Sequence, residues 1–173
     1  MLSLCRNRRK VSRFADRPVP AESLDCVLEA ARYAPSAKEA QPWRFVVVRD
    51  PLKRHSLAAA AFYHPHVRTA PVLVLSCARI HSHVSGRGAP SHPVDLAAAT
   101  QCMVLAAADL GLATSWITGF RSESVRDVTE VPEDVPVVAM LALGYPDGLD
   151  PIPEREPRER VVTWETWTPG EEG

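Results

Sequence analysis

Residues Ala34 to Arg49 read Ala-Pro-Ser-Ala-Lys-Glu-Ala-Gln-Pro-Trp-Arg-Phe-Val-Val-Val-Arg, and this stretch decides the central part of the fold. Pro35 ends a helix, because proline disfavours helical geometry in the residue before it and has no amide hydrogen to donate. Pro42 directs an extended exit into Phe45–Val48, an apolar run typical of a buried strand. The small and polar residues between leave backbone amides uncovered, which suits ligand binding. An ordinary helix–loop–strand connection explains the same pattern.

Two segments have helical periodicity. From Pro20 to Tyr33, apolar residues recur at the spacing of one helix face. Pro93 to Leu110 is the longest predicted helix, with Gly111 as its C-terminal stop. It is apolar nearly all round, which predicts burial, in so small a chain partly by a second subunit. Two shorter helices are predicted: an alanine-rich one that Asp50-Pro51 opens and that ends near Ala61, and one capped by Ser122 that ends near Thr129.

Further strands follow from apolar runs. They are predicted at Val72–Cys77, Ala113–Ile117 and Val137–Leu143. Residues 79 to 92 are loop-like by composition, and they would lie at the edge of a substrate opening. In the proline-rich tail from Leu149 to Gly173, Arg160–Trp167 alternates enough to predict an edge strand that reaches another subunit.

Bulk properties exclude several classes of protein. The 173 residues, 46% hydrophobic, are enough for one domain with a sizeable core. The net charge of −1 gives no electrostatic argument for binding nucleic acid or an anionic membrane. Four cysteines without paired spacing predict free thiols in a reducing compartment, and no signal peptide or membrane span is recognisable. We therefore expect a cytoplasmic protein.

Two histidine pairs have the appearance of metal ligands. His64-Pro65-His66 and His81-Ser82-His83 both lack an acidic or thiol partner at ligand spacing, so no metal site is predicted. Both pairs are expected in surface loops.

The N-terminal segment is strongly basic. If it is extended, Arg8, Lys10 and Ser12 point the same way, since side chains alternate along a strand. Two cations and a hydroxyl on one side suit a phosphate group. A solvated charged face is the alternative interpretation.

Residues 35–45, Pro-Ser-Ala-Lys-Glu-Ala-Gln-Pro-Trp-Arg-Phe, resemble the Pro-Ser-x-x-Asn-x-Gln-Pro-Trp-x-Phe signature of the FMN-dependent nitroreductase family. Other blocks agree in order along nearly the whole chain. They are residues 8–14 (Arg-Arg-Lys-Val-Ser-Arg-Phe), 70–71 (Ala-Pro), 107–112 (Ala-Ala-Asp-Leu-Gly-Leu) with 116–120 (Trp-Ile-Thr-Gly-Phe), and 155–157 (Arg-Glu-Pro).

The resemblance implies an α+β fold in which a mixed, mostly antiparallel sheet has helices on both faces. It also implies an intertwined homodimer with exchanged C-terminal tails. Residues 1–148 would form a single FMN-binding domain, and residues 149–173 an arm that embraces the partner subunit.

The resemblance also implies the cofactor site, at the subunit interface. Arg8, Arg9, Lys10 and Ser12 would hold the FMN phosphate, with Arg155 reaching it from the tail. The backbone of Pro35, Ser36 and Ala37 would come from the partner subunit, and Thr118 and Gly119 would line the flavin ring. Family members carry Arg, Ser and then Arg or Lys at the positions where this chain has Arg8, Lys10 and Ser12. The set of hydrogen-bond donors is therefore kept in a different order.

Glu39 departs from the family, which usually has Asn at this position. An ionised carboxylate only accepts hydrogen bonds, and it adds negative charge beside a phosphate-bearing cofactor. We expect Glu39 to turn away and pair with Arg32 or Arg44. Alternatively it faces the flavin and weakens FMN binding.

The activity implied is that of an NAD(P)H oxidoreductase. NADH or NADPH would deliver hydride to flavin N5 and be replaced by a small-molecule oxidant, a nitroaromatic or quinone, in ping-pong order. No catalytic side chain is required, because the chemistry belongs to the flavin. Two alternatives stay open: a specialised flavin enzyme of the same fold, dehalogenating or flavin-fragmenting, and a degenerate, non-catalytic flavin-binding dimer.

Overall fold

The computed structural model describes residues 2–8, 11–79, 90–148 and 150–167. In chain order the elements are α1 (Leu2–Asn7), α2 (Ala21–Arg32), β1 (Trp43–Val48), α3 (Pro51–Ala60), α4 (Pro65–Thr69), β2 (Val72–Ala78), α5 (His92–Asp109), β3 (Ala113–Ile117), α6 (Ser122–Thr129), β4 (Val137–Gly144) and α7 (Arg158–Val161). A single 3₁₀ turn, Ala37–Glu39, lies between α2 and β1.

The four strands form one sheet in the order β1-β2-β4-β3, and each neighbouring pair is antiparallel. The parallel component expected of a mixed sheet is therefore not found among the described strands. β2 and β4 are central, and β1 and β3 are the edges. The predicted α+β fold is confirmed.

Helices cover both faces of the sheet, as predicted. Because side chains alternate along a strand, Val72 and Val74 of β2 pack against α2 and α5, whereas Leu73 and Leu75 pack against α3, α4 and α6. Every residue of β2 is buried. The sheet thus has two separate apolar cores, one on each face.

The helix α5 spans the core as predicted and ends where Gly111 adopts a φ of 70°. This left-handed conformation is easily reached by glycine, so Gly111 stops the helix. One side of α5 is fully buried against the sheet and α2, while Ala97, Ala98, Leu105 and Ala108 are only half-buried.

The strand β1 was expected to be a buried core strand, but it lies at the sheet edge. Phe45, Val46 and Val47 are half-buried, since an edge strand has a neighbour on one side only. The Asp50 cap of α3 is confirmed, because its side chain accepts the N–H of Lys53.

Three local predictions were wrong. His64-Pro65-His66 opens α4 rather than lying in a loop, since proline is tolerated in the first turn of a helix. Ser122 is the first residue of α6, and no side chain caps that helix. The tail forms the short helix α7 over Arg158–Val161, and residues 162–167 are neither helix nor strand where an edge strand was predicted. Among the described residues, neither sheet edge offers its hydrogen bonds to this segment.

The end of the sheet joins the N-terminal segment. Phe14 pairs with Pro146 in an isolated antiparallel bridge, and the N–H of Ala15 donates to the carbonyl of Tyr145 at 2.9 Å. Most of the loop predicted at residues 79 to 92 lies outside the described residues, as does Leu149.

Candidate functional site

The turn after β3 borders an open cavity. Thr118 and Gly119, which the sequence singled out, are exposed and follow directly on the buried Ile117. With His64 and His66 they line a cavity of about 290 Å³. A Cβ placed on Gly119 would meet no atom of the described residues within 4 Å, so these residues leave the backbone of the turn open to a flat ligand.

The two histidines were missed as site residues. Their rings stack with centroids 5.4 Å apart and planes 11° from parallel. The His-Pro-His motif is visible in the sequence, but only the fold shows that α4, which it opens, begins beside the turn after β3.

The loop between α2 and β1 is strained. Lys38, Glu39 and Gln41 have φ values of 51°, 51° and 46°. Non-glycine residues adopt this left-handed conformation at a cost of about 1–3 kcal/mol each, and they concentrate at ligand sites. The loop is closed locally, since the N–H of Gln41 donates to Ser36 Oγ at 3.0 Å and the N–H of Glu39 to the Ser36 carbonyl at 3.0 Å.

Ala37 is held from outside the loop. Its N–H donates to Oδ1 of Asp95, in the first turn of α5, at 2.9 Å. This amide is therefore engaged with a side chain of its own chain. Asp95 was not anticipated, although a carboxylate in the first turn of an otherwise apolar helix was a visible signal. Pro35, at the start of the loop, is exposed.

The basic segment is only partly described. Arg8 is half-buried at the end of α1, where its N–H donates to the Leu4 carbonyl at 2.8 Å, so the chain is helical there rather than extended. Arg9 and Lys10 lie outside the described residues. The Ser12 hydroxyl donates to Oδ2 of Asp150 at 2.8 Å. Arg155 is exposed on the tail.

Glu39 does not pair as expected. It is exposed, and no ion pair to it is found in the described parts of the chain. Arg32 donates instead to both oxygens of Glu29, at 2.6 and 2.7 Å, and Arg44 donates to the carbonyl of Trp43. The predicted partners are thus both engaged elsewhere.

The described site residues lie on the Thr118–Gly119 turn, on the loop after α2 (Pro35–Glu39), and in the terminal segments (Arg8, Ser12 and Arg155). No hydrogen bond or ion pair joins one group to another across residues 2–8, 11–79, 90–148 and 150–167. An open turn beside a cavity, a loop of small residues, and cations with a hydroxyl are a donor set that fits a flat, phosphorylated cofactor such as FMN.

The described residues contain neither a cluster of metal ligands nor a membrane-spanning helix. No group of three His, Cys, Asp or Glu side chains in the described residues is arranged to hold a metal ion. Within the same residues, no helix is both long enough and apolar enough to span a membrane.

An antiparallel sheet covered by helices on both faces defines an α+β protein. The sequence model of the nitroreductase family matches residues 5–63 and 51–145. The chain belongs to the nitroreductase family.

Individual relatives agree with this assignment. The chain is 35% identical to a protein of Thermus thermophilus named NADH dehydrogenase, with 91% of this chain and 92% of that protein aligned. It is 27% identical to the FMN reductase (NADPH) of Bacillus subtilis, covering 93% of this chain and 72% of the relative. The crystal structure of a nitroreductase family protein from Clostridium difficile 630 superposes with a TM-score of 0.87, at 27% identity, over 96% of this chain and 99% of the other.

More specialised relatives are also found. The chain is 30% identical to a 5,6-dimethylbenzimidazole synthase of Rhodospirillum rubrum, over 86% of this chain and 83% of that protein. It is 26% identical to an iodotyrosine deiodinase of Thermotoga neapolitana, over 96% of this chain and 98% of that protein. The family therefore includes more than one chemistry.

Proposed function

We propose that the protein is an FMN-dependent NAD(P)H oxidoreductase that passes electrons to a nitroaromatic, a quinone or a similar small oxidant by a ping-pong mechanism. The observation that carries this proposal is the nitroreductase-family match over residues 5–63 and 51–145, combined with an open Thr118–Gly119 turn beside a cavity. Relatives named as NADH dehydrogenase and FMN reductase (NADPH) support the oxidoreductase class.

The phosphate end of FMN is assigned to the basic segment and the tail. Arg8, Arg9, Lys10 and Ser12 would hold the phosphate, joined by Arg155. Guanidinium and ammonium groups donate charge-assisted hydrogen bonds to phosphate oxygens, and each is worth about 1.5–3 kcal/mol. Arg155 is exposed in the isolated chain, which leaves it available for this contact.

The ring end is assigned to the turn after β3. The backbone of Thr118 and Gly119 would contact one side of the ring. In support, no atom of residues 2–8, 11–79, 90–148 or 150–167 lies within 4 Å of a Cβ built on Gly119, so the described chain leaves this approach open.

The remaining contacts are assigned to a partner subunit in a homodimer. The Pro35–Ser36–Ala37 backbone would reach the flavin held by the other chain, and Glu39 would lie beside it with its exposed carboxylate turned away from the ring. In support, this loop has no hydrogen bond to the β3 turn or the basic segment among the described residues. Residues 151–167 are all exposed, including Trp164 and Trp167, as expected of an arm that is covered only in a dimer.

FMN, when bound, would supply the redox chemistry between NADH or NADPH and the oxidant. The chain's own residues bind and orient the cofactor, and no side chain is assigned as a nucleophile or general base. The four cysteines are free thiols, in keeping with a cytoplasmic location.

The decisive experiment is to isolate the protein and measure its flavin. We expect a yellow protein that releases FMN on denaturation. Under anaerobic conditions NADH or NADPH should bleach it, and a nitroaromatic or quinone should restore the colour. A protein that takes up no FMN from solution would contradict the proposal.

Two alternative functions have specific observations in their favour. The synthase and deiodinase relatives favour a specialised flavin enzyme, and turnover of an iodinated aromatic or loss of the flavin itself would identify it. Glu39 at the usual Asn position favours a degenerate flavin-binding dimer. Bound flavin that neither NADH nor NADPH bleaches would identify that case.

A further inference from the structure

Asp95 is a buried carboxylate in the first turn of α5. The residue is only 5% exposed, and in the sequence it lies between Val94 and Leu96. Oδ1 accepts the N–H of Ala37 at 2.9 Å, while Oδ2 is buried and has no hydrogen-bond partner in the described parts of the chain. No ion pair to Asp95 is found among those residues.

Folding stability alone does not account for this carboxylate. Asp is rarely buried without a cationic partner, since the charge loses its hydration. A position in the first turn of a helix and one backbone N–H offset part of this loss. The second oxygen has no partner within the part of the chain that is described, and a buried unsatisfied group calls for an explanation beyond packing.

Asp95 provides the hydrogen bond that connects the loop of residues 35–41 to the rest of the described chain. Among the described residues, the Ala37–Asp95 hydrogen bond is the one that ties residues 35–41 to another element of the fold. The other hydrogen bonds of the loop run from Gln41 to Ser36, from Glu39 to Ser36 and from Ala40 to Ala37, all within it.

The backbone of this loop also needs an external restraint. Lys38, Glu39 and Gln41 all have positive φ, a conformation that non-glycine residues keep only when their surroundings enforce it. The hydrogen bond to Asp95 lies directly before Lys38, where the left-handed stretch begins. The buried carboxylate of Asp95, in the first turn of α5, therefore sets the position from which the loop departs.

We propose that Asp95 is the positioning residue of the cofactor loop: it fixes the Ala37 amide so that the backbone of Ser36–Glu39 is presented to a flavin ring. The inference rests on the proposed function, in which this loop contacts FMN held by the partner subunit. Because the Ala37 N–H already donates to Asp95, hydrogen bonds to the flavin ring would come from other polar groups of the loop.

A purely structural role makes a different prediction. If Asp95 only stabilises the start of α5, its removal lowers the melting temperature and leaves flavin affinity unchanged. If it positions the loop, the affinity falls, and it falls equally for FMN and riboflavin, because the loop contacts the ring that both ligands share.

The test compares variants of the full-length protein. Asp95→Ala removes the acceptor, and Asp95→Asn keeps an oxygen that accepts the Ala37 N–H. Asp95→Glu keeps the charge but displaces the acceptor by one methylene. Asp109→Asn, an exposed carboxylate at the other end of the same helix, is the matched control. Affinities for FMN and riboflavin are measured by fluorescence titration, and amide hydrogen exchange is followed across residues 36–41.

We expect Asp95→Ala to weaken both flavins at least tenfold by the same factor, and to speed exchange of the Ala37 amide. Asp95→Asn should stay within a few-fold of the wild type, and Asp109→Asn should be unchanged. If Asp95→Ala does not fold, Asp95→Glu should show the equal loss of both flavins. Affinities that change less than twofold in Asp95→Ala and Asp95→Glu would overturn the assignment, while the proposed function would stand. A wild-type protein that binds neither flavin would overturn both.

Discussion

Ser12 and Asp150 are joined by a hydrogen bond of 2.8 Å from the hydroxyl to Oδ2, although 138 residues separate them. The bond connects the basic N-terminal segment to the start of the tail. It also places a carboxylate beside a hydroxyl assigned to the FMN phosphate. Two anionic groups near one donor oppose each other, so under the proposed assignment Asp150 would compete with the phosphate for Ser12.

Asp150→Asn should therefore tighten FMN binding. The group is half-buried, so we expect a gain of about two- to tenfold, the range of a partly screened charge interaction. Riboflavin, which has no phosphate, should be unaffected. Fluorescence titration of both ligands checks this, with Asp147→Asn, a nearby exposed carboxylate 4.0 Å from Arg13, as the control. An equal gain for riboflavin would show that the effect does not act through the phosphate.

Loss of a phosphate-binding cation should have the opposite effect. Arg8→Ala or Arg155→Ala should weaken FMN about tenfold or more, since one charge-assisted hydrogen bond contributes roughly 1.5–3 kcal/mol. Wild-type protein should bind riboflavin much more weakly than FMN. Arg121→Ala, whose guanidinium donates to the carbonyl of Ala59, serves as a control outside the assigned site. Equal affinities of the wild type for FMN and riboflavin would be incompatible with a phosphate site.

Periodicity and apolar runs predicted the framework well. Of the predicted α2 stripe, Leu24, Val27 and Ala31 are buried and Leu28 is half-buried, and β2 and β4 are the apolar central strands. These predictions succeeded because burial in a two-sided sheet requires apolar side chains in both directions. Pro35 and Gly111 predicted where α2 and α5 stop, because the proline backbone is restricted and the glycine backbone is permissive.

Features that depend on distant partners could not be predicted in this way. The hydrogen bond between Ala37 and Asp95 spans 58 residues. The edge position of β1 depends on which strands neighbour it, and the Arg160–Trp167 pattern needs a strand edge that the described chain does not provide. The positive φ of Glu39 was also invisible, since nothing in Glu itself favours that conformation.

Cys77 should be nearly inert to alkylation at pH 8. Its thiol is buried in β2, and loss of hydration raises its pKa to about 11 despite the opposing effect of Arg126. The thiolate is the nucleophile, so raising the pKa from 9.0 to about 11 lowers its population at pH 8 by about 100-fold. Mass spectrometry after iodoacetamide treatment should find the exposed Cys5 and Cys26 modified first. The rate at Cys77 should rise as the pH approaches 11. Equal rates at the three thiols at pH 8 would contradict this burial.

Truncation after Gly148 should weaken a homodimer. The tail carries Ile152, Trp164 and Trp167 with exposures of 49%, 74% and 85%, so their apolar surface is not buried by their own chain. Burial against a partner would stabilise the dimer by about 25 cal/mol per Å² of apolar surface. Sedimentation and thermal melting should show a weaker, less stable dimer, whereas deletion of residues 168–173 alone leaves these side chains in place as a control. A truncated dimer of unchanged stability would rule out the embracing arm.

Glu39→Asn should stabilise the fold. Glu39 has a φ of 51°, and Asn populates this left-handed region several-fold more readily than Glu. The gain in the free energy of unfolding should be up to about 1 kcal/mol, measured by thermal or denaturant unfolding. Glu39→Gln is the matched control, because it removes the same charge but keeps a side chain that disfavours positive φ. A gain for Asn without a gain for Gln identifies the backbone as the cause.

The same pair of variants separates the two roles of the Glu39 carboxylate. Since Glu39 is exposed, we expect both substitutions to leave FMN affinity within a few-fold of the wild type. If Glu39→Asn and Glu39→Gln both tighten FMN by well over tenfold, the carboxylate faces the bound flavin in the dimer. The natural protein would then be a weak flavin binder, because the negative charge of Glu39 opposes the phosphate and the charge that the flavin gains on reduction.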